Sequence, residues 1–134
     1  MAEFGFPKTS RLLNAADYKA VFSSAQFKVS CRHFLVLAIS NNRSSSRLGL
    51  VIAKKNVALA VQRNRIKRQL RDTFRHNRAL LDKLDLVVLA RKDADKLDNI
   101  QLKSTIETLW QDLHGKTKRR TSYLQLPPLS RRGL

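Results

Sequence analysis

The chain has 134 residues, 43% of them hydrophobic, and a formal net charge of +17. That length suits one domain around one core, and the charge asks for a polyanionic partner, nucleic acid first, to offset self-repulsion. No apolar run approaches the roughly 20 residues that span a bilayer, the N-terminal MAEFGFPKTSR has no apolar centre of signal-peptide length, and a single cysteine, Cys31, cannot form an internal disulfide, so a cytoplasmic protein with no membrane partner is expected.

GFPKTSR is an extended lead-in, because Pro7 keeps Phe6 out of helix. Asn14 then caps a helix over about 15–24, with Asp17 placed three residues later as in a capping box. Tyr18 and Phe22 lie one turn apart on it. By spacing alone such aromatics belong to a core. FKVSCRHFLVLAIS reads as strand, with the wholly apolar Phe34–Ile39 as a central, covered segment. NNRSSS is a loop by composition, and RLGLVIAKK is the next strand, so a hairpin is expected between them.

AVQRNRIKRQLRDTFR, residues 60–75, comes next, and its periodicity is helical. At about 100° per residue, Leu59, Ile66, Leu70, Phe74 and Leu81 share one sector. Asn64, Lys67, Arg68, Arg71, Arg75 and Arg78 share the opposite one, and Arg63 and Arg65 lie on the flanks. A solvated helix face usually mixes signs, since like charges one turn apart oppose each other. This face is almost purely cationic, which marks it as a surface for phosphates. LDLVVLARK is a further strand. DADKLD leads into a last helix, 99–114, with Ile100, Ile106, Leu109, Trp110 and Leu113 as its stripe and Gly115 as its stop. The remaining 116–134, basic and Pro-containing, is expected to be a flexible tail after a single 1–115 domain.

Charge follows this division. Residues 1–78 hold sixteen Lys/Arg against three acids, 79–115 five against seven, and 116–134 six against none. The expected class is α+β, an α/β sandwich with a small, mainly central sheet and three helices, in the order helix, hairpin, helix, strand, helix. The connection through the basic helix is a β-α-β crossover, right-handed by the general rule if its strands are parallel.

No side-chain constellation for catalysis is evident. The three histidines are scattered, Cys31 has no metal-site partner and reads as packing, and the four glycines make no phosphate loop. Asp93, Asp95 and Asp98 could hold Mg²⁺, but acids are also favoured where a helix begins.

The segment KKNVALAVQRNRIKRQLRDTFR resembles the signature of the bacterial ribonuclease P protein subunit. RLLNAADYKAVF resembles that family's first helix, with Tyr18 where many members have phenylalanine, and RLGLVIAKK and DLVVLARK resemble its strands. Residues 6–115 are covered. The resemblance implies a left-handed crossover, against the general rule. It also implies a ribonucleoprotein in which a catalytic RNA removes the 5′ leader of precursor tRNA by Mg²⁺-assisted hydrolysis, leaving a 5′-phosphate, with Mg²⁺ held mainly by RNA and substrate. One monomeric protein would serve each ribonuclease P RNA. On this reading Arg63, Asn64, Arg65, Lys67, Arg68 and Arg71 meet the catalytic RNA. Tyr18 and Phe22 stack on the single-stranded leader, with Phe34, Lys54 and Lys55 on the opposite wall, Arg11 at the mouth, and Arg91 and Lys92 at the end of the third strand. No residue of the protein is implied to be catalytic or to bind metal. Composition alone leaves open a ribosomal-type RNA-binding scaffold and, behind it, a nuclease built on Asp93, Asp95 and Asp98.

Overall fold

The computed structural model describes residues 14–41, 45–81 and 83–125, with side chains through Thr117. Helix α1 covers Ala15–Ser24. The Asn14 side chain accepts from the Asp17 amide at 2.9 Å, the cap read from the sequence. Strands β1 (Phe27–Ser30), β2 (Phe34–Ser40) and β3 (Arg47–Val51) follow, then α2 (Ala60–His76), β4 (Leu84–Ala90), a 3₁₀ turn (Ala94–Lys96) and α3 (Asn99–Gln125).

The strands form one mixed sheet in the order β1-β2-β4-β3. β4 pairs antiparallel with β2 along all seven residues of each. It pairs parallel with β3, so α2 is the crossover of a β-α-β unit. Its sequence, LDLVVLA, explains the central position: both of its faces are buried, as a strand covered on two sides requires.

Two expectations change here. FKVSCRHFLVLAIS is not one strand but two, joined at Cys31–His33 by a turn in which the Cys31 amide donates to the Phe34 carbonyl. The polar Ser30, Arg32 and His33 interrupt the apolar alternation where the chain reverses. The hairpin therefore lies between β1 and β2, and the expected one between β2 and β3 does not form, because β4 sits between them. Pairing on both edges gives the most apolar strand backbone partners on either side.

Alternation along the strands sorts side chains between two layers. Phe34, Val36 and Ala38 of β2, with Leu86, Val88 and Ala90 of β4, face α2 and α3. There they meet Ile66, Leu70 and Phe74 of α2 and Leu102, Ile106, Leu109, Trp110 and Leu113 of α3. Trp110 meets Phe74 edge-on, with ring centroids 5.9 Å apart, and its indole N–H donates to Thr73 Oγ1 at 3.0 Å. The opposite face is thinner. There Val21 of α1 and Val87 of β4 are buried, flanked by half-buried Tyr18, Leu37, Ile39, Val51 and Leu89.

The helices depart from the expected stripes at their ends. Leu59 precedes α2 and is exposed, and Leu81 lies beyond the helix yet is fully buried. α2 stops at His76, where the Asn77 side chain donates to the Thr73 carbonyl at 2.7 Å. In α3, Ile100 is 82% exposed and Leu102 takes the core position instead. Gly115 does not end α3, which continues to Gln125, so the expected tail begins as helix. A glycine inside a helix costs only about 1 kcal/mol relative to alanine, which a long helix tolerates.

Candidate nucleic-acid interface

β3 and β4 run parallel side by side, so the residues leaving their C-terminal ends emerge at the same end of the sheet. Lys54 and Lys55 follow β3, Arg91 and Lys92 follow β4, and all four are exposed. The turn after β3 is fixed rather than loose. Asn56 donates from Nδ2 to the Ala90 carbonyl at 3.0 Å, Val57 is fully buried, and the Arg91 amide donates to the His33 carbonyl at 2.8 Å. Cations far apart in sequence thus form one cluster.

α2 starts at this same end. Arg63 donates from Nη1 to the carbonyls of Val57 and Ala58, at 3.1 and 2.8 Å, and so holds the incoming loop. Arg65 donates from Nε to Gln62 Oε1 at 2.8 Å, from Nη1 to Asn99 Oδ1 at 2.9 Å and from Nη2 to the Asp95 carbonyl at 3.1 Å. It therefore joins α2 to the 3₁₀ turn and the start of α3. A guanidinium has five N–H donors, so both arginines keep donors for a phosphate while their orientation is already set. Asn64, Arg68 and Arg71 are exposed and Lys67 is half-buried. Arg75 pairs with Asp72 at 2.7 Å. Both partners are exposed, so the pair adds little stability. The six residues assigned from the RNR segment thus all lie on α2, with Arg63 and Arg65 held on its flanks by the protein's own contacts.

On the other sheet face α1 packs over β2 and β4. Tyr18 is half-buried, and its hydroxyl accepts from the Leu50 amide at 3.3 Å. Phe22, one turn on, is 46% exposed. Leu37 and Leu89, both half-buried, floor the adjoining strip of sheet. Tyr18 thus lies against β3, the strand that leads into Lys54 and Lys55. Phe34 does not join them. It is fully buried in the layer against α2 and α3, on the other side of the sheet, which corrects its placement on a wall facing Tyr18. Leu37, on the alternate row of β2, packs on the Tyr18 side instead. Arg11 lies outside the described residues.

Within the acidic cluster, the Asp98 side chain and the Asp93 and Asp95 backbones shape the entry to α3. Asp98 Oδ1 accepts from the Gln101 amide at 2.8 Å while Gln101 Oε1 accepts from the Asp98 amide at 3.1 Å, a reciprocal cap on α3. The Asp95 carbonyl serves Arg65, and Asp93 adopts a left-handed backbone (φ 71°) entering the 3₁₀ turn. Among the described residues no group of three His, Cys, Asp or Glu side chains is placed to hold a metal ion.

One charged group escaped the sequence reading. Arg47, at the start of β3, is 8% exposed and lies between Asp85 and Asp17. Its hydrogen bond to Asp85 holds the guanidinium pKa above its ordinary value, against the opposing effect of burial. No sequence signal marks it, since an arginine in RLGLV looks like one more cation in a basic chain.

The sequence model described as Ribonuclease P matches residues 6–114. The ribonuclease P protein component of Marinobacter nauticus is 46% identical over 121 residues, covering 90% of this chain and 91% of its own length. That of Pseudomonas aeruginosa is 45% identical over 127 residues, covering 95% and 94%. Among solved structures, the RNase P protein of Staphylococcus aureus superposes with a TM-score of 0.71 at 28% identity, covering 78% of this chain and 94% of that one. The Thermotoga maritima RNase P protein gives 0.66 at 29% identity, covering 78% and 96%.

Proposed function

The chain belongs to the ribonuclease P protein family, and from this premise we propose that its surface is divided between two RNAs. The protein is the protein subunit of ribonuclease P, part of a ribonuclease holoenzyme that acts in tRNA processing. The α2 surface, with Arg63, Asn64, Arg65, Lys67, Arg68 and Arg71, binds the catalytic RNA. The strip between α1 and the sheet binds the 5′ leader of precursor tRNA. There Tyr18 and Phe22 offer stacking faces, and Lys54, Lys55, Arg91 and Lys92 meet phosphates at the open end.

The observation that carries this division is Phe22. It is 46% exposed and one turn from Tyr18, which itself packs on the apolar strip of sheet, whereas an aromatic with a packing role would be covered. Stacking on an aromatic is worth roughly 1–3 kcal/mol per base and tolerates any base. That tolerance suits leaders of differing sequence. Cations at the sheet end and along α2 neutralise phosphates and release counterions, the main source of affinity for such surfaces.

The Asp98 carboxylate is engaged in the α3 cap, which supports a structural role for it. We place the Mg²⁺ and the bond cleavage, which leaves a 5′-phosphate on the tRNA, with the RNA and the substrate. One cytoplasmic protein monomer serves each RNA. The test is cleavage of 5′-labelled precursor tRNA at low millimolar Mg²⁺ by protein, by cognate RNA and by both. The mixture should be fast, and protein alone should not cut. Within the mixture, Tyr18→Ala and Phe22→Ala should each weaken precursor binding about tenfold, the equivalent of one lost stacking contact, and leave mature tRNA binding unchanged. Equal loss for both RNAs would refute the leader assignment.

A further inference from the structure

We propose that Arg47 is the positioning residue of α1: it touches no RNA, and through Asp17 it fixes where the aromatic helix lies over the sheet. Among the described residues α1 has few apolar anchors. Val21 is its one fully buried side chain among the described residues, and the apolar cluster on this face is small. The main core, against α2 and α3, lies on the far side of the sheet and gives α1 no support.

Arg47 supplies the missing tether through both edges of its guanidinium. Toward the sheet, Nε donates to Asp85 Oδ1 at 3.0 Å and Nη2 to Asp85 Oδ2 at 2.7 Å, a bidentate pair between neighbouring strands. Asn41 Nδ2 donates to the same Asp85 Oδ1 at 2.8 Å and holds that carboxylate in place. Toward the helix, Nη1 donates to Asp17 Oδ2 at 3.3 Å and Nη2 to Asp17 Oδ1 at 3.4 Å. Asp17 stands in the first turn of α1, its backbone amide already held by the Asn14 cap.

The neighbouring residue makes the second attachment, the Tyr18 hydroxyl accepting from the Leu50 amide. Asp17 and Tyr18 thus reach β3 at positions 47 and 50. Two attachments along one strand fix both the rotation and the slide of the helix, and with them the direction of Phe22 one turn later. The fork geometry matters: a lysine at 47 presents one point charge and cannot bridge two carboxylates bidentately.

The consequence for RNA rests on the leader reading above, so two readouts are needed. The first is amide hydrogen exchange in the free, full-length protein, which reports local opening of α1 separately from the rest. Asp17→Ala should speed exchange of the α1 amides by roughly tenfold and leave α2, α3 and β4 unchanged. Arg47→Met should do the same and also loosen the β3–β4 end, and Arg47→Lys should restore α1 only in part. If Arg47→Met fails to fold, Asp17→Ala still decides, since it leaves the Arg47–Asp85 pair intact. Unchanged α1 exchange in Asp17→Ala would overturn the proposal.

The second readout is the ratio of precursor to mature tRNA affinity in the holoenzyme, with Tyr18→Ala alongside. A fall of about fivefold in that ratio for Asp17→Ala, with mature tRNA binding unchanged, is expected from misplaced stacking faces. If Tyr18→Ala lowers the ratio and Asp17→Ala does not, the leader reading stands and the positioning role is refuted. If neither lowers it, the leader reading fails, and α1 exchange alone judges the Arg47 tether.

Discussion

Phe22 and Phe34 show how little residue type says about role. Each is a phenylalanine in an apolar setting, yet one is 46% exposed and the other fully buried. Phe34→Ala should cost about 3–5 kcal/mol of stability by urea unfolding, the usual price of emptying a core aromatic. Phe22→Ala should cost much less and act on precursor binding instead. Arg65 combines both kinds of role in one side chain. Its bonds to Asn99 and the Asp95 carbonyl brace α3, and its remaining donors are free to meet phosphate. Asn99→Ala should therefore lower stability by about 1 kcal/mol, one hydrogen bond, and barely change affinity for the catalytic RNA. Arg65→Ala should lose both stability and RNA affinity. If the two variants lose RNA affinity equally, Arg65 acts only through α3 and the phosphate contact is refuted.

At the scale of elements, helix ends were partly legible. Asn14 was recognisable as the cap of α1, and the structure places its side chain on the Asp17 amide. Asp98 and Gln101 carry the same kind of spacing, and their reciprocal cap on α3 could have been read from it. Asp98→Ala should cost about 1 kcal/mol in unfolding, as lost caps do. Cleavage by the reconstituted holoenzyme should keep its Mg²⁺ dependence. A changed Mg²⁺ requirement in Asp98→Ala would return the acidic cluster to consideration as a metal site. Gly115 does not end α3, because glycine permits a stop without enforcing one. Leu81 falls in the helical sector by number, although the chain has already left α2 at His76.

For the whole molecule the charge of +17 governs how RNA is bound. If about six phosphates are neutralised along α2 and the sheet end, affinity should fall roughly a thousandfold between 50 and 200 mM salt. Residues 118–134 add Lys118, Arg119, Arg120, Arg131 and Arg132 with no acid. Removing them should flatten the salt dependence if they meet phosphate and leave it unchanged if they do not. Either slope follows from a titration of binding against salt. The neutral-to-acidic stretch 79–115 holds β4 and most of the described part of α3, the scaffold on which the basic elements are mounted.

The sequence by itself determined what depends on near neighbours along the chain. The span of α1 and its cap, the amphipathic α2 with its cationic face, and the apolar character of β2 and β4 all follow from periodicity and local chemistry. It could not determine strand order, since β3–β4 pairing joins residues 38 positions apart and β2–β4 pairing residues 44 to 56 apart, and several orders satisfy the same alternation. Nor could it orient β2. Phe34, Val36 and Ala38 form one apolar row and Leu35, Leu37 and Ile39 another, and both rows are apolar enough to be a core. Only packing against α2 and α3 decided that the first row is buried there, leaving the second beneath α1. The cluster of Lys54, Lys55, Arg91 and Lys92 and the Arg47 tether have the same origin. Each is made by bringing distant segments together, and the energy that selects it is spent across the sheet.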